Sequence, residues 1–259
     1  MSKNRPKILV TNDDGITAKG IRSLIREMCK LGDVYVVAPD KPQSGKGHAI
    51  TLDAILELKP LKVEDGSLVE MACSGTPADC VKLAINEVLE TRPDLCVSGI
   101  NHGSNSSISI VYSGTMSAAI EAGIEGIPSI GFSLCDYAKD ADFTAAGPYV
   151  QKIAHEVLQN GLPDGVVLNV NFPKSIEEPY RGIKICRQAR ANWREKFEKR
   201  ISPLGKEYFW LTGEFVNLDG GQDTDEYWLD RNYISLVPIQ FDLTAHHMIQ
   251  KLNTWKLNE

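Results

Sequence analysis

The chain has 259 residues, with 28 Lys and Arg against 34 Asp and Glu, a formal net charge of -6 and a pI near 5.5. That length suits one large α/β domain or two small ones, and the acidity argues against a broad surface for DNA or RNA. Six cysteines (Cys29, Cys73, Cys80, Cys96, Cys135, Cys186) show neither CxxC nor paired Cys/His spacing. They read as reduced thiols of a cytoplasmic protein, and with no signal-type or bilayer-length apolar stretch no membrane partner is expected.

Ile8, Leu9 and Val10 form a short apolar run of the kind that fills a parallel strand, and the run ends in Asn12-Asp13-Asp14-Gly15. Adjacent carboxylates repel unless a proton or cation sits between them, so a divalent metal explains Asp13-Asp14; a solvated turn is the other reading. Ile21, Leu24, Ile25 and Met28 recur at helical spacing, Gly32 closes the helix, and residues 34–38 form a second strand, completing a βαβ opening. The turn-rich segment 39–47 then emerges at the same sheet edge as the two aspartates.

Residues 50–72 read as short strands around the turn Glu64-Asp65-Gly66, and Thr76 with Pro77 is an N-cap followed by a first helical position. A third sheet strand, 95–98, runs into the Gly/Asn/Ser loop 99–105, which carries Asn101 and His102. In that polar loop His102 is a candidate for touching substrate, whereas His155 sits in a helical pattern with an ordinary structural role. Ser113-Gly114-Thr115 opens a small-residue helix, 116–123, either as a plain cap or as a phosphate-binding turn. Segments 127–134 and 166–171 supply further strands, with a helix over 149–158 between them.

From about Arg187 the chain becomes basic and aromatic, residues 208–216 read as an extended arm, and residues 233–241 as a strand. The expected division is a metal- and nucleotide-binding core over 1–190 and a C-terminal arm over 191–259 that serves oligomer contacts rather than folding alone. Standard nucleotide signatures are missing. Gly47 stands where a P-loop needs Ser or Thr, the first loop lacks GxGxxG, and Asp13-Asp14 lacks the DxD spacing of a phospho-aspartate enzyme.

Six strings, ILVTNDDGI (8–16), VVAPDKPQSG (36–45), SGTPADCVKLA (74–84), SGINHGSN (98–105), YSGTMSAAIEA (112–122) and LNVNFP (168–173), closely resemble the SurE family of stationary-phase survival proteins, which act as 5'-nucleotidases. The resemblance covers roughly residues 7–190 closely and the C-terminal segments more loosely. It implies a Rossmann-like α/β fold: a mostly parallel sheet flanked by helices, with an extended C-terminal β arm exchanged between subunits of a homodimer or homotetramer. It also implies one divalent cation per subunit, magnesium or manganese, on Asp13, Asp14, Ser44 and Asn101. We assign catalysis to Asp13, Asp14 and Asn12, and substrate contacts to Asn101, His102, Ser113, Gly114 and Thr115.

The implied reaction is metal-dependent hydrolysis of nucleoside 5'-monophosphates, extending to 3'-monophosphates and short polyphosphate. A nucleotide-binding regulator without turnover is the alternative from another class, and a dinucleotide-dependent reductase is disfavoured by the missing GxGxxG. Two departures stand out. Ser106-Ser107-Ile108-Ser109 replaces a Leu-Gly stretch common in the family and bears on substrate preference, and Ser117 and Ala122 replace glycines in the following helix.

Overall fold

The computed structural model describes residues 5–174 and 178–257; the stretch ahead of the first strand, residues 1–4, lies outside them. Strand β1 (Lys7–Thr11) leads through the Asp13-Asp14 loop to helix α1 (Lys19–Met28) and strand β2 (Asp33–Pro39). Ile8, Leu9 and Val10 are all fully buried, as expected of a central parallel strand covered on both faces. Helix α1 buries Ile21, Leu24, Ile25 and Met28, the stripe its sequence predicts.

Next come β3 (Leu58–Pro60), β4 (Val69–Cys73) and α2 (Pro77–Leu83), which continues as a π-helical turn over Ala84–Val88. The predicted cap is present as a full capping box between Thr76 and Asp79. Strand β5 (Leu95–His102), α3 (Gly114–Ile124), β6 (Ser129–Leu134), α4 (Gly147–Asn160) and β7 (Val166–Phe172) complete the parallel part. After β8 (Ile183–Ile185) the chain forms a hairpin of β9 (Ala191–Ile201) and β10 (Glu207–Asn217), then α5 (Asp225–Leu229), β11 (Ile234–Gln240) and α6 (His246–Leu252).

Among the described residues the main sheet runs β3-β4-β2-β1-β5-β6-β7-β11-β8, with β4 through β7 parallel. From β1 the chain winds outward one way through β2 and β4, then returns to β5 on the other side of β1 and winds the opposite way. The order therefore reverses between β1 and β5, and ligands of doubly wound sheets bind outside the carboxyl ends of the strands at that reversal. Helices α1 and α4 close one face around Leu24, Ile25, Val150 and Ile153; α2 and α3 close the other around Cys80, Val81, Ala118 and Ala122. All six cysteines are free thiols.

Two features of the sheet differ from the sequence expectation. Strand β5 does not end at Ser98: its register with β6 shifts between Ser98 and Asn101, and pairing resumes at Asn101 with Ser133. The residues 99–102 that read as loop are thus a bulged strand end, which re-aims side chains at the rim. The arm proper is the β9–β10 hairpin alone, because β11 pairs antiparallel with β7 along six residue pairs from Ser235 to Gln240. The part of 191–259 that contains β11 therefore belongs to the core sheet; its partner strand β7 is distant in sequence, so no local pattern reveals the pairing.

Candidate active site at the sheet reversal

The loops after β1, β2 and β5 and the first turn of α3 meet at the reversal point. Gly15 takes a φ of +97°, conformationally open to glycine, and turns the chain sharply so that Ile16 N–H reaches Pro39 O at 2.9 Å. Asn12 closes the same turn through Nδ2 to Gly15 O (2.9 Å), and Gln43 N–H donates to Asp13 O (2.7 Å), tying the loop after β2 to the aspartates.

The Asp13 carboxylate is buried and accepts from Thr115 Oγ1 at 2.5 Å. Gly114, just before it, lies so close that a Cβ there would stand 2.6 Å from Asp13 Cβ and 2.8 Å from Oδ2. Glycine at the first position of α3 is what lets the helix N-terminus rest on the carboxylate. Asp14 Oδ2 accepts from His102 N–H at 2.9 Å, which joins the bulged end of β5 to the same pair. Asn101 donates through Nδ2 to Gly103 O (2.8 Å), leaving its Oδ1 as the remaining acceptor.

Burial, followed by the charge of Asp14, pushes the Asp13 carboxyl up to about 6, against the hydrogen bond from Thr115. Burial also raises Asp14, countered by His102. Among the described residues neither aspartate has a Lys or Arg partner within ion-pair distance. Buried oxygens without a protein partner gather at this edge: Thr11 Oγ1, Asn12 Oδ1, Gln43 Oε1 and Ser98 Oγ. Two uncompensated carboxylates beside neutral oxygen donors are the environment a hard divalent cation selects.

Of the residues assigned from sequence, Asn12, Asp13, Asp14, Asn101, Gly114 and Thr115 come together. Ser113 caps α3, its Oγ accepting from Met116 N–H at 3.0 Å. His102 reaches Asp14 through its backbone; its ring instead donates from Nε2 to Ala138 O at 2.6 Å. Ser44 stands exposed, one residue beyond Gln43, and makes no hydrogen bond among the described residues.

A family model described as "Survival protein SurE" matches residues 8–195. The chain belongs to the SurE family. A relative named 5'-nucleotidase SurE from Flavobacterium psychrophilum is 66% identical over 256 residues, 99% of this chain and 100% of the relative. One of the same name from Bacteroides fragilis is 46% identical, covering 99% of this chain and 100% of its own. The crystal structure of SurE protein from Aquifex aeolicus superposes with a TM-score of 0.81 at 37% identity, covering 96% of this chain and 98% of that one.

The SurE-family site is braced by residues that sequence reading did not single out. Asn171 Oδ1 accepts from Asn105 N–H (2.9 Å) and Asn169 Nδ2 donates to Asn105 O (2.9 Å), so two side chains of β7 hold the loop after β5. On the opposite side Glu121 of α3 pairs with His48 (2.7 Å) and Lys82, fixing the far end of the Ser44 segment. From α5, fully buried Asp225 accepts from Ser107 N–H and Ala189 N–H, and Glu226 Oε1 accepts from Ser106 Oγ at 2.5 Å. These partners lie up to 120 residues from the loop they hold, which is why no local pattern revealed them.

Burial raises the Glu226 carboxyl to about 7, with Asp225 and Asp230 adding to the rise and the Ser106 hydroxyl opposing it. A folded-state pKa above the unfolded one stabilises the fold fully below about 4.5, and that contribution is lost as pH rises through about 7. Glu226→Gln keeps an acceptor for Ser106 and has no charge to bury. Chemical denaturation should therefore show wild type losing about 2 kcal/mol relative to Glu226→Gln between pH 4.5 and pH 8. Parallel curves for the two proteins would contradict this account.

Proposed function

We propose that this chain is a 5'-nucleotidase that uses a divalent cation, magnesium or manganese, to hydrolyse nucleoside monophosphates to nucleoside and phosphate. The observation that carries the reading is the pair of uncompensated aspartates held by three loops at the sheet reversal, on a chain whose relatives share the name 5'-nucleotidase over their whole length. Asp13, Asp14, Asn101 and Ser44 would hold the cation, Ser44 swinging in from its exposed position. Bound there, it supplies a Lewis acid for the phosphoryl oxygens and a water of lowered pKa.

The chain's own groups orient the substrate. Gly114 N–H and the N-terminal end of α3, an 11-residue helix, present positive potential to the phosphoryl oxygens, and Asn12 Oδ1, an acceptor without a partner among the described residues, is available to accept a hydrogen bond from the attacking water. Attack by water forms one P–O bond as the bond to the nucleoside oxygen breaks, so the products are nucleoside and inorganic phosphate with no covalent enzyme intermediate. A grip centred on phosphate discriminates weakly among bases, and 3'-monophosphates and short polyphosphate fall within the same chemistry. Each missing base contact costs about 1 to 3 kcal/mol, which predicts a spread in kcat/KM below about a hundredfold across the common 5'-monophosphates.

Phosphate release from a nucleotide panel, with manganese, with magnesium and after chelation, tests this reading. Release should stop on chelation and return with the cation. Undiminished release after exhaustive chelation would remove the metal from the mechanism, and tight nucleotide binding without release would make the protein a regulator.

The arm supports a homo-oligomer. In the β9–β10 hairpin Trp193 opposes Phe215 and Phe197 opposes Leu211, with Phe209 and Ile201 further along the same face, an aromatic and aliphatic surface interrupted by Glu195 and Lys199. Phe197 is 65% exposed and Leu211 62%, and no layer among the described residues covers them. A second copy of the chain is the occupant, giving a homodimer or homotetramer. Sedimentation at micromolar concentration should show at least a dimer; a monodisperse monomer defeats this. Among the described residues no helix is long and apolar enough to cross a membrane, and we place the enzyme in the cytoplasm.

A further inference from the structure

We infer that the ring of Tyr137 is the platform on which the nucleobase stacks. The inference rests on the phosphate-end reading above and extends it to the other end of the substrate. Tyr137 follows β6, next to β5 at the carboxyl edge of the sheet, and is 68% exposed.

Three consecutive residues of the site loop touch the Tyr137-Ala138 pair. His102 Nε2 donates to Ala138 O at 2.6 Å, and Ser104 N–H donates to the Tyr137 hydroxyl at 3.2 Å. Between them Gly103, at a φ of +120°, lies so near the ring that a Cβ would stand 2.6 Å from its Cε1. The ring is thus fixed on the backbone of the very loop whose His102 N–H binds Asp14. Gly103, against which the ring lies, directly follows His102, and consecutive Cα atoms are about 3.8 Å apart.

The loop beneath the ring is itself rigidly held. Ser104 Oγ hydrogen-bonds Ser106 Oγ at 2.6 Å, Ser106 bonds Glu226, and Asn105 is bound by Asn169 and Asn171. A fixed aromatic surface loses little freedom on binding, and stacking on it tolerates any base because every base has a π face. That agrees with weak base discrimination. Tyr112, the other exposed tyrosine at this edge (51%), has no hydrogen bond on its hydroxyl among the described residues, so it offers no comparably fixed surface.

The test compares adenosine 5'-monophosphate with ribose 5-phosphate, which keeps the phosphate and sugar but has no base. The readout is the ratio of their kcat/KM values in wild type, Tyr137→Ala, Tyr137→Phe and Tyr112→Ala, with sedimentation confirming an unchanged assembly. Tyr137→Ala should lower the ratio about tenfold, through the KM for the nucleotide, and Tyr137→Phe should keep it within about twofold of wild type. An unchanged ratio in Tyr137→Ala overturns the inference whatever happens to the absolute rates. So does a fall of equal size in Tyr137→Phe, or one confined to Tyr112→Ala. Asp14→Asn run alongside separates the two readings: turnover retained on both substrates sinks the phosphate-end assignment, independently of Tyr137.

Discussion

Asp14→Asn should lower kcat/KM for nucleoside monophosphates at least about a hundredfold at limiting manganese while leaving the protein folded. The magnitude follows from the cation's dependence on charged oxygen. Outer-sphere partners of metal ligands are commonly worth 10- to 100-fold, and a ligand carboxylate exceeds them. The fold survives because Asp14 contributes one loop contact, the hydrogen bond from His102 N–H, which an amide oxygen also accepts. In chelator the variant should melt no lower than wild type at pH 8, since burial raises the Asp14 carboxyl and its ionised form is disfavoured in the metal-free fold. Opposite signs for activity and metal-free stability distinguish a functional carboxylate from a structural one. Near-wild-type turnover at limiting manganese would rule out the assignment.

Gly114→Ala should be nearly as damaging to activity, for a steric reason. The added Cβ would stand 2.6 Å from Asp13 Cβ and 2.8 Å from its Oδ2, inside any tolerable contact. Asp13 is buried and bonded to Thr115 Oγ1, so its side chain has nowhere to retreat and either the helix terminus or the aspartate loop must shift. A displacement of about 1 Å in a positioned group can cost on the order of 100-fold in rate, and overpacking of this kind costs about 1 to 3 kcal/mol in stability. Gly123→Ala is the control. On the same helix it crowds Val167 at 2.5 Å, away from the aspartates, so it should lose stability without the same loss of kcat/KM. A Gly114→Ala enzyme with wild-type kcat/KM and unaltered manganese dependence would show that the helix terminus does not take part in the site.

What the sequence determined by itself was local. The apolar run ending at Asn12-Asp13-Asp14-Gly15, the helical stripe from Ile21 to Met28 and the Thr76 N-cap each depend on neighbours within a few residues, and each stands as read. The convergence of three loops at one sheet edge was also legible, because parallel strands joined by helices all present their carboxyl ends to the same side. The tertiary structure alone decided which groups meet there. Thr115 bonds Asp13 across 102 positions and Ser106 bonds Glu226 across 120, separations at which spacing carries no signal. Pairing decided two further matters. A register shift against β6 carried β5 through Asn101 and His102, and a ladder with β7 drew β11 back into the core sheet, leaving only the β9–β10 hairpin as an arm. Strand pairing is a contact between distant segments, so its partner and register follow from the packed sheet and not from the alternation along one strand.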